Sequence, residues 1–154
     1  MQGWELVLRE SVRQTLADYT AATDGFDLGA LAACFVPEGT LEFTGGGDAL
    51  VGRAGIEAGL AAQLSGPRPA GRSPRYVRHH VSSIRIFEVE AQRAEASSYF
   101  VVFTDVGVDH WGRYRDVMVP YDDRWLFVSR KIRVDGFSSD SLMNHQPALG
   151  TESS

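Results

Sequence analysis

Apolar and small residues near the start of the chain recur at steps of three and four, the spacing of one face of an α-helix. Charged and amide side chains fill most positions between them and give the helix a polar outer face. The pattern stops where Gly25 supplies a helix end. The sequence therefore predicts a first helix with one side against a core, its stripe being Leu8, Val12, Leu16, Tyr19 and Thr23.

Shorter elements follow the first helix. A second helix is predicted over residues 28–35, with Asp27 as its N-cap, and the Pro-Glu-Gly run at residues 37–39 ends it. Residues 40–44 alternate as a short strand, and residues 52–64 repeat apolar side chains every four positions as a third helix.

From about residue 75 onward the hydrophobic period changes to two, which is typical of β-strands. Four long strands are predicted, at residues 76–89, 94–105, 112–121 and 125–134. Their short connections favour antiparallel pairing. Helices early and strands late in the chain predict an α+β fold, with a curved sheet wrapped around the N-terminal helices. Such a sheet forms a cone with an open mouth, where a ligand would bind.

The composition fits one globular domain. The chain has 154 residues, of which 44% are hydrophobic and 23% are charged. We expect a single domain over residues 1–137. Residues 138–154 are rich in serine and lack a hydrophobic period, so we expect a partly flexible tail there.

Charge and cysteine content narrow the function classes. Fifteen Lys and Arg against 20 Asp and Glu give a net charge of −5, which argues against nucleic-acid and membrane-surface partners. The single cysteine, Cys34, excludes an internal disulfide and a multi-cysteine zinc site. No apolar run is long enough to span a bilayer, and Trp4 and Glu5 do not suit a signal peptide. We expect a cytoplasmic protein.

Several polar side chains occupy positions that suit chemistry. Asp24 ends the first helix, and His79 lies early in the first long strand. Tyr114 and Asp116 are two residues apart, so they share a strand face. Arg130 shares its face with apolar neighbours, which predicts that it points inward.

Charge that points inward needs a partner, because an unpaired buried charge is costly. Asp24, Asp116 and Arg130 are therefore candidate partners for one another. A carboxylate beside a histidine fixes the tautomer of the ring and stabilises its protonated form. Such a pair can move a proton and contribute about 10²–10⁴-fold to a rate. A tyrosine hydroxyl and an arginine would polarise a carbonyl and stabilise an enolate.

Structural roles are the alternative for the acid and the imidazole. Asp24 could close a turn with the glycine that follows it. His79 and His80 are adjacent in a strand and point to opposite faces, which also prevents them from sharing a metal ion. A site of two histidines and one carboxylate would need His110 or His145 close by, and no pattern supports that. We predict no metal site.

The other candidate residues could also have purely structural roles. Arg130 and Asp116 could form an ion pair that serves the fold alone, and Tyr19 could pack in the core. Cys34 is expected to be a buried thiol. His110, beside a tryptophan near a strand turn, is expected to be exposed.

Four segments together resemble the SnoaL-like branch of the nuclear-transport-factor-2-like superfamily: residues 18–28, 78–83, 112–116 and 123–127. The resemblance extends over about residues 8–135. It implies an α+β barrel in which a cone-shaped sheet, mainly antiparallel, wraps the N-terminal helices. Within this group the chain is similar to scytalone dehydratase and hexachlorocyclohexane dehydrochlorinase, which use an Asp–His pair to abstract a proton in an elimination.

The resemblance implies a role for each matching residue. The catalytic pair falls on Asp24 and His79. The arginine of the dehydrochlorinase falls on Arg130, and Tyr114 and Asp116 take positions that face or support the cavity in relatives. We assign these last three residues to substrate binding.

Tyr19, on the core side of the first helix, completes the predicted substrate-binding set. Scytalone dehydratase has a second active-site histidine in the region of the third long strand. The sequence shows no clear counterpart, since His110 lies too early. This difference leaves the substrate and the reaction open.

The first long strand contains a conflict of parity. His79 is at an odd position, whereas Ile84 and Ile86 are the apolar even positions of the same strand. All three can face inward only if a bulge or a strong bend lies between them.

The expected function is that of a small-molecule enzyme without a metal or organic cofactor. Asp24 would orient His79 as general base in a dehydratase, isomerase or polyketide cyclase of secondary metabolism. The substrate would be small and mostly apolar, with a carbonyl or hydroxyl group, as the apolar cone indicates.

Two other functions fit the same resemblance. The first is a non-catalytic ligand-binding or structural subunit, as in the β subunits of ring-hydroxylating dioxygenases. The second is an epoxide hydrolase of the limonene type, in which Asp24, Arg130 and Asp116 would surround a water. A homo-oligomer, either a dimer or a trimer, is expected because the sheet leaves a broad outer face to cover.

Overall fold

The computed structural model describes residues 1–68 and 71–143. Three helices and six strands follow one another within these described residues. In order they are α1 (Gly3–Asp24), α2 (Leu28–Ala32), β1 (Phe35–Phe43), β2 (Leu50–Val51), α3 (Gly52–Ser65), β3 (Arg78–Glu90), β4 (Arg93–Thr104), β5 (Gly107–Tyr121) and β6 (Arg124–Phe137).

Helix α1 presents the predicted stripe to the core. Leu8, Val12, Leu16 and Tyr19 are all buried, whereas Thr23 is half-buried. Thr15 is buried beside them, and its hydroxyl donates to the main-chain oxygen of Trp125 at 2.6 Å. This bond satisfies a polar group inside the core and fixes α1 to the start of β6.

The prediction of a helix over residues 28–35 is wrong in its second half. Helix α2 is one short turn with the predicted Asp27 cap, and β1 begins at Phe35. Residues from Phe35 onward form a strand instead of a helix because they pair with β6. The two strands are parallel, Phe35 is opposite Phe127, and the Phe127 N–H donates to the main-chain oxygen of Cys34. Gly39 allows the close approach, since a Cβ there would lie 2.9 Å from the Phe127 oxygen.

The strands form one sheet in the order β2-β1-β6-β5-β4-β3. The four long strands pair antiparallel, as predicted, while β1 runs parallel to β6, so the sheet is mixed. The α+β class and the curved sheet beside N-terminal helices are confirmed. The sheet is open at β2 and β3, however, and does not close into the barrel that the resemblance implied.

Strand β3 contains the bulge that its parity required. Its pairing with β4 shifts register between Ser82 and Arg85, and Ser83 takes a left-handed backbone with φ of 51°. The extra residue moves the inward positions from odd to even. His79 and Ile84 therefore face the same side of the sheet, which removes the conflict in the sequence.

Strand β5 begins five residues earlier than predicted, at Gly107 instead of Gly112. The extension is irregular, because β4 and β5 shift register between Val102 and Phe103. This shift leaves Asp109 in the bulge of β5, where it is fully buried, and brings His110 into the strand.

The predicted tail is described only in part. Residues 138–143 follow β6, and the Ser138 N–H donates to the main-chain oxygen of Asp109 at 2.9 Å. Leu142 is buried. The remainder, including His145, lies outside the described residues. None of the described helices is long and apolar enough to cross a membrane.

Because Ser83 has a left-handed backbone, the free energy of unfolding should depend on which side chain is at this position. Ser83→Val should lower the free energy of unfolding by about 1–2 kcal/mol, because a branched Cβ clashes in this conformation. Ser83→Gly should not. Ser82→Val is the control, since Ser82 is an exposed neighbour with ordinary backbone. Urea unfolding measures all three, and an equal loss in both valine variants would contradict the bulge.

Candidate active site

The end of α1 and the start of β3 meet through one carboxylate. His79 Nδ1 lies 2.6 Å from Asp24 Oδ1, and the His79 main-chain N–H lies 3.1 Å from both carboxylate oxygens. The side chains are 17% exposed at Asp24 and 11% at His79. Because a carboxylate accepts, Nδ1 is the donor in this contact, and in the neutral ring the lone pair is then on Nε2. Nε2 makes no hydrogen bond within the described part of the chain.

The neighbouring histidine points the other way. His80 is exposed, and its ring contacts Phe103 edge to face, with 5.0 Å between ring centroids. The two imidazoles therefore diverge, as adjacent strand residues must. Residues 1–68 and 71–143 contain no group of three or more potential metal ligands.

Arg130 and Asp116 form a second pair, deeper in the molecule. Arg130 Nε and Nη2 donate to the two Asp116 oxygens at 2.8 and 2.9 Å, and both side chains are almost fully buried. Burial alone would lower the pKa of Arg130, but the adjacent Asp116 carboxylate raises it above its usual value. The guanidinium is therefore charged at every pH of interest.

Three aromatic rings of the described residues pack against this guanidinium. Its central carbon lies 4.3 Å from the ring centre of Tyr19, 3.9 Å from that of Tyr114 and 4.4 Å from that of Phe127. Ring faces stabilise a desolvated cation. Nη1 of Arg130 is buried without a hydrogen-bond partner among the described residues. This nitrogen is thus without an acceptor in residues 1–68 and 71–143.

Phe100 links the two pairs. Its ring stacks on Tyr114 with 4.6 Å between centroids and lies 6.4 Å from the ring of His79. Gly112 makes space for it, since a Cβ at that position would be 2.8 Å from Phe100 Cζ. Burial raises the pKa of the Tyr114 hydroxyl, and burial does the same at Tyr19, so both phenols keep their protons.

Sequence analysis missed a second imidazole in this region. His110 was expected to be exposed, yet its side chain is only 13% exposed, and its ring lies 6.1 Å from that of Phe100. Its Nδ1 is 2.8 Å from Asp109 Oδ1. The neighbouring Asp109 could have indicated a role for His110. Both residues were placed outside the strand, however, because β5 was predicted to begin only at Gly112.

Asp109 also anchors the segment after β6. Its carboxylate accepts from Ser141 Oγ at 2.6 Å, from the Leu142 N–H at 2.7 Å and from Thr104 Oγ1 at 3.1 Å. Burial opposes its charge, but the hydrogen bonds from Ser141, His110 and Leu142 lower its pKa below the ordinary 3.8. This acid is therefore an ionised structural centre as well as the partner of His110.

The remaining candidates stay apart from these pairs. Cys34 is buried as expected, and burial raises the pKa of its thiol, which makes it a poor nucleophile. Asp24 is bound by His79 and Asp116 by Arg130, so the hydrogen bonds do not join the three charged residues into an Asp-Arg-Asp cluster.

Comparison with known proteins identifies the family. A model of the SnoaL-like domain matches residues 4–131. The "Putative Scytalone Dehydratase" of Novosphingobium aromaticivorans is 22% identical with a TM-score of 0.74, covering 90% of this chain and 91% of that chain. This likeness shows the fold. No curated protein sequence matches the chain significantly.

Two further solved structures are somewhat closer in sequence. A protein of Catenulispora acidiphila in complex with S-DNPA is 27% identical with a TM-score of 0.68, covering 83% of this chain and 93% of that chain. Aln2 from a Streptomyces species is 27% identical with a TM-score of 0.67, covering 83% of this chain and 91% of that chain.

The buried ion pair predicts a large loss on removal of one partner. Asp116→Asn leaves the Arg130 charge uncompensated and should lower the free energy of unfolding by about 3–5 kcal/mol. Asp135→Asn is the control, because its pair with Arg113 is exposed and worth about 0–1 kcal/mol. Urea unfolding compares the two variants, and equal small losses would show that the pair is not desolvated.

Asp109 predicts a dependence of stability on pH. Its pKa is lowered on folding, so its contribution is complete above the unfolded value near 3.8 and is lost as pH falls through the folded value. The stability difference between the wild type and Asp109→Asn should therefore be largest at neutral pH and shrink in acid. Asp123→Asn, at an exposed turn, is the control. Urea midpoints between pH 7 and 3 that differ by a constant amount would contradict this.

Proposed function

Because the chain belongs to the SnoaL-like domain family, we propose that it is a small-molecule enzyme in which His79 removes a proton from the substrate and Asp24 orients it. The observation that carries the proposal is the 2.6 Å contact between His79 Nδ1 and Asp24 Oδ1. The reaction would be loss of water, or an isomerisation or cyclisation that begins with the same proton transfer. The step uses side chains alone and needs no metal ion or organic cofactor.

The base is His79 Nε2. Asp24 accepts a hydrogen bond from the protonated Nδ1, which leaves the Nε2 lone pair available, and the negative charge of the carboxylate stabilises the imidazolium that forms. The low exposure of both side chains strengthens this interaction, since less water competes for the charges. The main-chain N–H of His79 holds the same carboxylate from a second side, which preserves the geometry during proton transfer.

Arg130 supplies the site for the substrate oxygen. Asp116 occupies two of its nitrogen donors, and Nη1 remains for a carbonyl that gains negative charge as the proton leaves. The pair is neutral overall, which suits a carbonyl or hydroxyl better than a carboxylate. Tyr114, which keeps its proton and whose ring packs on this guanidinium, would supply a second donor through its hydroxyl.

His110 would act as the acid in an elimination. The rings of His79 and His110 lie 6.4 and 6.1 Å from that of Phe100. His79 takes the proton from carbon, the freed electron pair forms the carbon–carbon double bond, and hydroxide leaves the next carbon as water with a proton from His110. Asp109 Oδ1 lies 2.8 Å from His110 Nδ1 and holds the ring in place.

We also propose that the protein forms a homo-oligomer. Tyr99 is 54% exposed and Trp111 is 38% exposed, on the side of the sheet away from the core. Large apolar side chains in this position mark an association surface.

The partner in the site would be a small-molecule substrate. The structure of the Catenulispora acidiphila protein in complex with S-DNPA supports this proposal.

The proposed base is tested with a panel of cyclic β-hydroxy ketones in deuterium oxide. Proton NMR follows exchange of the α-proton and loss of the hydroxyl group. We expect turnover of at least one compound, and His79→Ala should slow it at least about 100-fold because the base is lost. Asp24→Asn should slow it less, in the same direction.

The control variant is His80→Ala, because this adjacent histidine faces away from the site. It should retain the rate of the wild type. Unchanged turnover in His79→Ala would remove the mechanism. A wild type that binds these ketones without exchange or elimination would favour the non-catalytic ligand-binding subunit instead.

A further inference from the structure

Helix α1 and strand β3 run side by side and meet at two places. Asp24 binds His79 at one place, and at the other Arg9 Nη1 donates to the main-chain oxygen of Ile86 at 3.1 Å. The two meeting points are fifteen helical residues or seven strand residues apart, as counted along the sequence. At about 1.5 Å per helical residue and about 3.3 Å per strand residue, with one strand residue taken up by the bulge, the two distances are similar, roughly 20–23 Å. Helix and strand therefore border a slot between these two contacts.

A groove of about 360 Å³ lies between these two points. This volume is within the range of sites for small organic molecules. The bulge at Ser82–Ser83 falls in the middle of the slot and turns strand residues on both sides of it toward the helix. The apolar lining consists of Leu16, Ala17 and Ala21 from α1 and of Val81 and Ile84 from β3.

The groove follows a face of α1 that ends at the candidate active site. Arg13, Ala17, Thr20 and Asp24 follow one another at steps of four, three and four, so they lie along one face of α1. The first three line the groove, and the fourth is the partner of His79. A molecule that lies along this face has one end at the proposed base.

Arg13 is at the other end of this face. Its side chain is exposed and forms no ion pair or hydrogen bond with the described residues, although it lines an apolar groove. It is eleven residues before Asp24, which is about 16 Å along the helix. A cation without a carboxylate partner in this position favours an anionic group on the ligand.

We infer that the groove binds the apolar body of an elongated substrate whose far end carries an anionic group held by Arg13, while its reacting end lies at Asp24 and His79. This assignment rests on the proposed function, because that function decides which end reacts. It adds the substrate class: an apolar molecule with an anionic group at the end away from the site of proton transfer.

Decanoate and decan-1-ol test the inference as matched probes, since they differ in charge at one end. Isothermal titration calorimetry with the full chain measures both dissociation constants. Arg13→Gln should raise the Kd of decanoate about five- to tenfold and leave that of decan-1-ol unchanged. Arg115→Gln changes the net charge equally at an exposed position of β5, and it should alter neither Kd by more than about twofold.

A second variant tests the location. Ala21→Leu fills the groove from an exposed helical position, so it should weaken both probes at least about fivefold. The inference is overturned by the absence of saturable binding, by equal effects of Arg13→Gln and Arg115→Gln, or by unchanged binding to Ala21→Leu.

The His79→Ala variant separates this inference from the proposed function. It removes the proposed base but not the groove, so decanoate should bind to it with an unchanged Kd. Lost turnover of ketones with intact binding supports both proposals. The predicted binding pattern without any turnover in the wild type would retain the groove and reject the enzyme.

Discussion

The arrangement of the candidate site depends on one carboxylate with two tasks. Asp24 accepts a hydrogen bond from the main-chain N–H of His79, which fixes the end of α1 to β3. It also accepts a hydrogen bond from Nδ1 of the His79 ring. The first bond determines where helix and strand meet, and the second determines which ring nitrogen has the lone pair. The tertiary contact and the protonation pattern are therefore inseparable, although the two residues are 55 positions apart.

Around this contact the interior is organised by packing instead of by a chain of hydrogen bonds. Phe100 lies against His79, His110 and Tyr114, and the missing side chain of Gly112 gives it room. One apolar ring thus sets the spacing between two imidazoles and a phenol. The charged groups deeper inside each have a partner in direct contact, as Arg130 has in Asp116. The attraction within such a pair offsets the cost of removing both charges from water.

The local pattern of the sequence determined the elements, but long-range pairing determined their limits. The stripe of α1 and the alternation of the long strands were predictable from spacing, and the resemblance singled out Asp24 and His79. The odd position of His79 and the even positions of Ile84 and Ile86 showed that β3 needed a bulge or a bend. They did not show at which residue it lies. The parallel strand starting at Phe35 and the inward turn of His110 depend on pairing partners far along the chain, so no local period reveals them.

The bulges of β3 have a consequence for the molecule in solution. This strand is one border of the open sheet, and its left-handed residues Ser83 and Glu88 interrupt the row of main-chain groups that another strand would need. The opposite border, β2, offers only two residues. Both borders are thus poor templates for strand addition, so the same distortion that shapes the site also protects the protein against aggregation through its sheet edges.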